Sequence, residues 1–237
     1  RLPFAPEPRH LEGGGKRLVL GLFKKFVIAD LLAIIALNGT NALQVQESGW
    51  SWLMLYAYGF QIFFDFSGYT DIAIGLGELA GIRLPENFNQ PYLKPSLTRF
   101  WDNWHITLTQ WFRAYFFNPL TRFLRTKARW MPAWLVILVT QLGTMVVIGL
   151  WHGITLNFVL WGAWHGFGLF INNRWISATR GLATRAQAYP ALKGLITVLS
   201  VLLTFHFVTL GWVWFALPDV SASARFSAGL FGLTVLP

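Results

Sequence analysis

"VVIGLWHGITLNFVLWGAWHGFGLF", residues 146–170, decides how the rest of the chain is read. It is apolar enough for lipid, yet it carries His152 and His165, each inside a Trp-His-Gly triplet, and no other ionisable side chain. Ionisable groups at membrane depth are expensive and face a protein interior or a watery cavity, where they mark function by default. The stretch therefore points to two membrane helices joined near a functional imidazole. Burial strips hydration from a charged ring, so His152 is expected to be neutral near pH 7 and able to accept a proton. Gly153 lets backbone or substrate come close to that ring. The alternative is a core histidine held by neighbouring carbonyls or hydroxyls.

His165 lies 13 positions further on. At about 100° per residue this is roughly 220° beyond whole turns, so on one helix the two rings face nearly opposite ways and do not share a metal. His165 reads as a structural residue among Trp161, Trp164 and Phe167, and His206 reads the same way. The chain shows no phosphate-binding glycine loop, no Ser-His-Asp spacing and no metal-ligand pattern, which leaves a histidine-centred acid/base site.

Composition agrees with lipid as the solvent. Of 237 residues, 54% are hydrophobic and 12% charged, against roughly 25% charged in a soluble domain. The 13 Trp suit helix ends at the headgroup level. There is no Cys, hence neither disulfides nor a thiolate metal site. The net charge of +9 sits in short clusters between apolar runs, as orientation signals do, so nucleic acid is not the expected partner. The first residue is Arg1 and no signal-peptide pattern follows. We read residues 1–237 as one membrane domain belonging to a longer protein.

Residues 1–16, rich in Pro and Gly and including His10, read as a loop. Arg17 to Leu37 is apolar but interrupted by Lys24 and Lys25, which either snorkel to the interface or are buried against partners. Trp50 to Phe66 reads as a clean span, and Tyr69 to Ile82 continues it with Gly68, Gly75, Gly77 and Gly81 allowing close helix contact. "RLPENFNQPYLKPS", residues 83–96, is a connector, with Ser96 placed to cap a helix from Leu97. Residues 97–120 then read as one amphipathic helix with Trp101, Trp104, His105, Leu108, Trp111 and Phe112 on its apolar face. Thr121 to Arg129 holds four positive charges and no negative one, so it is expected to be cytoplasmic. Ala133 to Leu150 crosses outward, Phe158 to Ile171 returns, and Arg174, Arg180, Arg185 and Lys193 mark the basic side again. Gly194 to Leu217 is a further span ended by Pro218.

His105 shares its short helix with Asp102, Asn103 and Arg113. Such a helix either walls a tunnel at membrane depth or lies at the interface with a satisfied histidine. Asp65 and Asp71 either hold a cation or proton, as carboxylates in transporters do, or cap a helix or pair with Lys or Arg; the structural role is favoured.

"GLFKKFVIADLLA", "FQIFFDFSGYTDIAIGLGELAGIRLPENFNQPYL", "SLTRFWDNWHITLTQWFRAYFFNPL" and "IGLWHGITLNFVLWGAWHG" together resemble the membrane-bound O-acyltransferases. They look closest to the bacterial branch that includes alginate O-acetyltransferase and the D-alanyl transfer protein of teichoic acid synthesis. The likeness runs from about Gly21 to about Phe215 and keeps the family's block order. It implies an all-α polytopic membrane protein, a bundle of transmembrane and re-entrant or interfacial helices around a thin central layer. Donor is met from the cytoplasm and hydroxyl acceptor from outside. It also implies that His152 is the catalytic histidine and His105 a second functional one. The segment "FFNPLTRFLRTKARW" lacks the Gly-Gly-Asn turn of alginate-type members, so the resemblance leaves the substrate open.

Acyl transfer from a thioester to a hydroxyl needs a base, an oxyanion partner and exclusion of water. His152 fits the first. Trp101, Asn103, Trp104, Trp151 and Gly153 are the candidate walls of the substrate passage, and His105 is placed to orient carbonyl or acceptor. The expected activity is transfer of an acyl group, acetyl by first choice, to an exported polysaccharide such as alginate. D-alanyl or lipid O-acyl transfer is the second reading. No bound cofactor is expected; acetyl-CoA or an acyl-carrier thioester is the donor, a periplasmic acetyltransferase is a candidate partner, and the bacterial cytoplasmic membrane is the location. Rivals from other classes are a transporter with Asp65, Asp71 and His105 along its path, and a structural subunit that anchors soluble acetylation partners.

Overall fold

The computed structural model describes residues 8–45, 47–186 and 188–233. Among them the regular elements are helices. The chain divides into two compact units, residues 1–89 with 225–237, and residues 90–224.

In the first unit, α1 (Pro8–Phe23) runs straight into a π-helical stretch (Lys24–Ala29) and a last turn, α2 (Asp30–Ala33). The loop expected through residue 16 is thus already helical from Pro8, including His10, whose side chain lies outside the described part, as do residues 1–7. The reason is tertiary. α1 packs antiparallel on α3 (Ser48–Leu79), and its glycines are the contact. A Cβ at Gly14 would stand 2.8 Å from the Gly75 carbonyl oxygen, and one at Gly21 2.7 Å from that of Gly68. Backbone packed on backbone offsets the roughly 1 kcal/mol that each helical glycine costs.

The same face pairs the charges. Lys24 reaches Asp71 at 2.6 Å, Arg17 reaches Asp71 at 2.9 Å and also holds Glu86, and Lys25 holds Asp65. Of the two roles weighed for these carboxylates, the structure shows the ion-paired one. The interrupting lysines are matched by carboxylates across the helix pair. α3 ends at Gly81, whose left-handed φ of 71° lets Ile82 N–H donate to the Gly77 carbonyl at 2.7 Å.

In the second unit, Ser96 Oγ accepts from Arg99 N–H at 3.3 Å and opens α4 (Leu97–Trp101). The single helix expected over 97–120 is instead broken. It stops at Trp101, turns at His105, which is left-handed (φ 44°, ψ 57°), and resumes as α5 (Ile106–Phe112). A π-helical stretch (Arg113–Phe117) leads into α6 (Asn118–Lys127), which carries the basic cluster. Local bonds hold the break. Asn103 donates to the Arg99 carbonyl at 2.7 Å, Thr109 Oγ1 donates to that of Trp104 at 3.3 Å, and Arg113 spans back to Asp102.

α7 (Ala133–His152) and α8 (Leu156–Ala186) form an antiparallel hairpin. Their backbones touch through glycine: a Cβ at Gly149 would lie 2.1 Å from the Phe158 oxygen, and at Gly162 2.4 Å from that of Met145. α9 (Pro190–Ala216) follows, then α10 (Val220–Leu230). α7 and α9 are long and apolar enough to cross a membrane. The expected span at 158–171 is the first half of a 31-residue helix. At about 1.5 Å per residue α8 exceeds a hydrocarbon core of roughly 30 Å, which puts exposed Arg174 and Arg180 on a helical extension rather than in a loop; the Arg185 side chain lies outside the described part.

Candidate active site

His152 is the last residue of α7, and Gly153 ends the helix with an extended backbone (φ 173°). One side of the imidazole is open. The other sides meet aromatic rings: Trp151 at 4.9 Å, Phe215 at 5.0 Å, Trp161 at 5.5 Å, and Phe158 stacked at 6.2 Å between centroids. A Cβ on Gly153 would come within 2.5 Å of the Phe158 ring, so the glycine is what allows Phe158 to lie along His152. Asn157 fastens this corner from behind, with Nδ2 donating to the Leu217 carbonyl at 2.8 Å and to Ser223 Oγ at 3.1 Å.

His105 arrives at the same place from the broken helix. Its ring sits 6.4 Å from that of Trp151, so Trp151 is within ring contact of both imidazoles. His105 is half-buried, and burial pushes it down to about 4. An open imidazole and a neutral, half-buried one beside it can take a proton and donate or accept a hydrogen bond at one reacting group.

Trp101 and Trp104 are buried in the core. Trp104 is core, stacked on Phe100 at 5.5 Å and tilted against Tyr92 and Trp212. Asn103 is engaged at the Arg99 carbonyl. Trp101 lines a cavity of about 300 Å³ together with Asp102, Arg113, Gln141, Thr144 and Ile148, among others.

Trp101 also packs on His165, which is wholly buried between Trp101 (5.1 Å) and Trp161 (5.0 Å). Neither ring nitrogen of His165 has a hydrogen-bond partner. Gly211 makes room for it, since a Cβ there would meet Nε2 at 2.6 Å. The structural placing of His165 at the sequence level is matched by this aromatic enclosure, although not by any bonded neighbour.

Gln141 and Asn157 were not singled out from sequence. The signal available was an amide in an apolar run, weak beside two Trp-His-Gly triplets.

The family model described as "MBOAT, membrane-bound O-acyltransferase family" matches residues 4–217. The chain belongs to the membrane-bound O-acyltransferase family. It is 37% identical to a probable alginate O-acetylase of Pseudomonas syringae pv. tomato over 92% of this chain and 38% of that protein. It is 34% identical to a peptidoglycan O-acetyltransferase of Helicobacter pylori over 90% of this chain and 38% of the relative. A teichoic acid D-alanyltransferase of Streptococcus thermophilus is 32% identical over 87% of this chain and 52% of its own length. The chain thus spans less than half of the acetyltransferases it matches. All four sequence blocks fall inside the family match.

Proposed function

We propose that this chain carries the reaction centre of an O-acetyltransferase of the bacterial cytoplasmic membrane, a multi-pass protein that passes acetyl from a cytoplasmic thioester to hydroxyls of an exported polysaccharide. The supporting observation is that the rings of His152 and His105 both pack on Trp151, at the end of a helix long enough to cross a membrane. An unprotonated nitrogen of His152 takes the acceptor's hydroxyl proton while the oxygen attacks the thioester carbonyl. The C–S bond then breaks, the proton passes to the departing thiolate, and the products are an O-ester and a free thiol. His105 orients the carbonyl or the acceptor. Acetyl-CoA or an acyl-carrier thioester serves as donor, the acceptor is reached from the outer face, and a periplasmic acetyltransferase is the candidate partner for completing the transfer.

The transporter reading loses its carboxylates to Arg17, Lys24 and Lys25. D-alanyl transfer remains the second reading, supported by the D-alanyltransferase relative. Mass spectrometry of surface glycans from cells with and without the gene separates the two: loss of O-acetyl groups supports the first reading, and loss of D-alanyl esters replaces it.

A further inference from the structure

Nothing in the packing requires an imidazole at position 165. His165 is 0% exposed, and neither ring nitrogen has a hydrogen-bond partner among the described residues. An apolar side chain of similar size would fill the site without taking a polar edge out of water, a transfer that costs free energy when no bond is returned. Two neighbours share the feature. The indole nitrogens of Trp101 and Trp161 are likewise buried without a partner.

These three rings meet one another pairwise. Trp101 and His165 stand at 90° with centroids 5.1 Å apart, Trp101 and Trp161 at 85° and 5.7 Å, and Trp161 and His165 at 63° and 5.0 Å. Edge-to-face contact sets the positive rim of one ring against the negative face of another, and an N–H is the most positive part of such a rim. With no carbonyl or hydroxyl bonded to these nitrogens, the faces of the neighbouring rings are the acceptors at hand. An imidazole can therefore fix the angle of an indole beside it in a way that an all-carbon ring copies only weakly. Gly211 preserves the fit, because a Cβ there would stand 2.6 Å from His165 Nε2.

The cluster reaches the reacting corner through Trp161. His165 lies one helical turn beyond Trp161 on α8, and Trp161 in turn stands at 84° to the His152 ring, 5.5 Å away. Trp101 closes the cluster from the end of α4, four positions before His105. We propose that His165 is a positioning residue, which through Trp161 holds the angle at which the His152 ring faces the reacting groups. Being wholly enclosed, it touches neither donor nor acceptor. The proposal rests on the acyl-transfer reading above.

The test is steady-state kinetics of the full-length enzyme and its His165→Phe variant. The donor is whichever of acetyl-CoA and an acyl-loaded carrier protein the parent enzyme uses, and the acceptor is surface glycan from the parent cells, stripped of its esters with mild alkali. His165→Phe should lower kcat roughly 10- to 100-fold, the scale of a small misplacement at the reacting centre. Both KM values should hold, and the melting temperature should not fall, because the substitution removes unsatisfied polar atoms. In a Trp161→Phe background His165→Phe should cost nothing further, since the two residues act in series. An unchanged kcat, a loss of kcat that follows a fall in melting temperature, or losses that add across the two positions overturn the proposal. If His165→Phe does not fold, Gly211→Ala, which keeps the imidazole but presses on Nε2, is judged by the same criteria. A His152→Ala control keeps the two readings apart: full activity there sinks the acyl-transfer reading, whereas an inactive control beside an unaffected His165→Phe sinks only the positioning role.

Discussion

The α1–α3 pair and the α7–α8 hairpin are built alike and finished differently. Both are antiparallel, and both bring backbones together through glycines, Gly14, Gly21, Gly68 and Gly75 in one and Gly149, Gly162 and Gly166 in the other. In the first, the cations along the contact are matched by carboxylates: Lys24 and Arg17 by Asp71, Lys25 by Asp65. In the second, Gln141 Oε1, both ring nitrogens of His165 and Asn157 Oδ1 are buried without partners, and His152 stays open on one side. Matched polar groups fix a scaffold, whereas unmatched ones are retained at a cost that stability alone does not explain.

The comparison breaks most sharply at His152. His152→Ala in the full-length enzyme should reach the membrane in normal amount and lose about 10²- to 10⁴-fold in acylation rate, the usual worth of a general base. A variant that acetylates its acceptor at the parental rate would falsify the assignment. Gly149→Val tests whether the hairpin tolerates separation. With a Cβ placed 2.1 Å from the Phe158 oxygen, the helices must part, and overpacking of about 1–3 kcal/mol or more should appear as a lower melting temperature in detergent.

Asp71→Asn sharpens the other half. The Asp71 side chain is 9% exposed, but Arg17 and Lys24 keep 29% and 22% of their exposure, so the loss should be nearer 1–2 kcal/mol than the 3–5 kcal/mol of a fully buried pair. Activity per folded molecule should hold; a loss of turnover without a loss of stability would move Asp71 from scaffold to mechanism.

The smallest effect concerns His105. Burial lowers its folded pKa to about 4 from 6.5, so between those values the unfolded chain takes up a proton that the folded one refuses. Stability should be fully present above pH 6.5 and decline as pH falls towards 4. Melting curves at pH 7 and pH 5 should show a smaller drop for His105→Asn than for the parent.

The apolar periods of α7 and α9, the connector before Ser96 and the cap at Ser96 were all legible in the residues, because each is dictated locally. The break at His105 was not. Its apolar spacing suits a continuous helix, and the left-handed turn is held by Asn103, Thr109 and the Asp102–Arg113 pair, contacts that no periodicity announces. The helix at residues 8–16 was hidden for a similar reason: Gly13, Gly14 and Gly15 look like a loop until α3 provides a surface for Gly13 and Gly14. At the site, the two Trp-His-Gly triplets drew attention to the right helix, but sequence could not show that His152 is half open while His165 is enclosed. Nor could it show that Asn103 and Trp104 would be engaged elsewhere.

The glycine contacts between α1 and α3 also restrict movement. With backbone against backbone at two levels, a slide of one residue along the axis would drive side chains such as Ile72 or Leu79 into the opposing main chain, so the pair is locked in register. These two helices can tilt or shift only together, as a single rod. Any hinge that turnover requires must be sought elsewhere, and the non-helical corners at residues 102–105 and 153–155 are where the backbone is free of that lock.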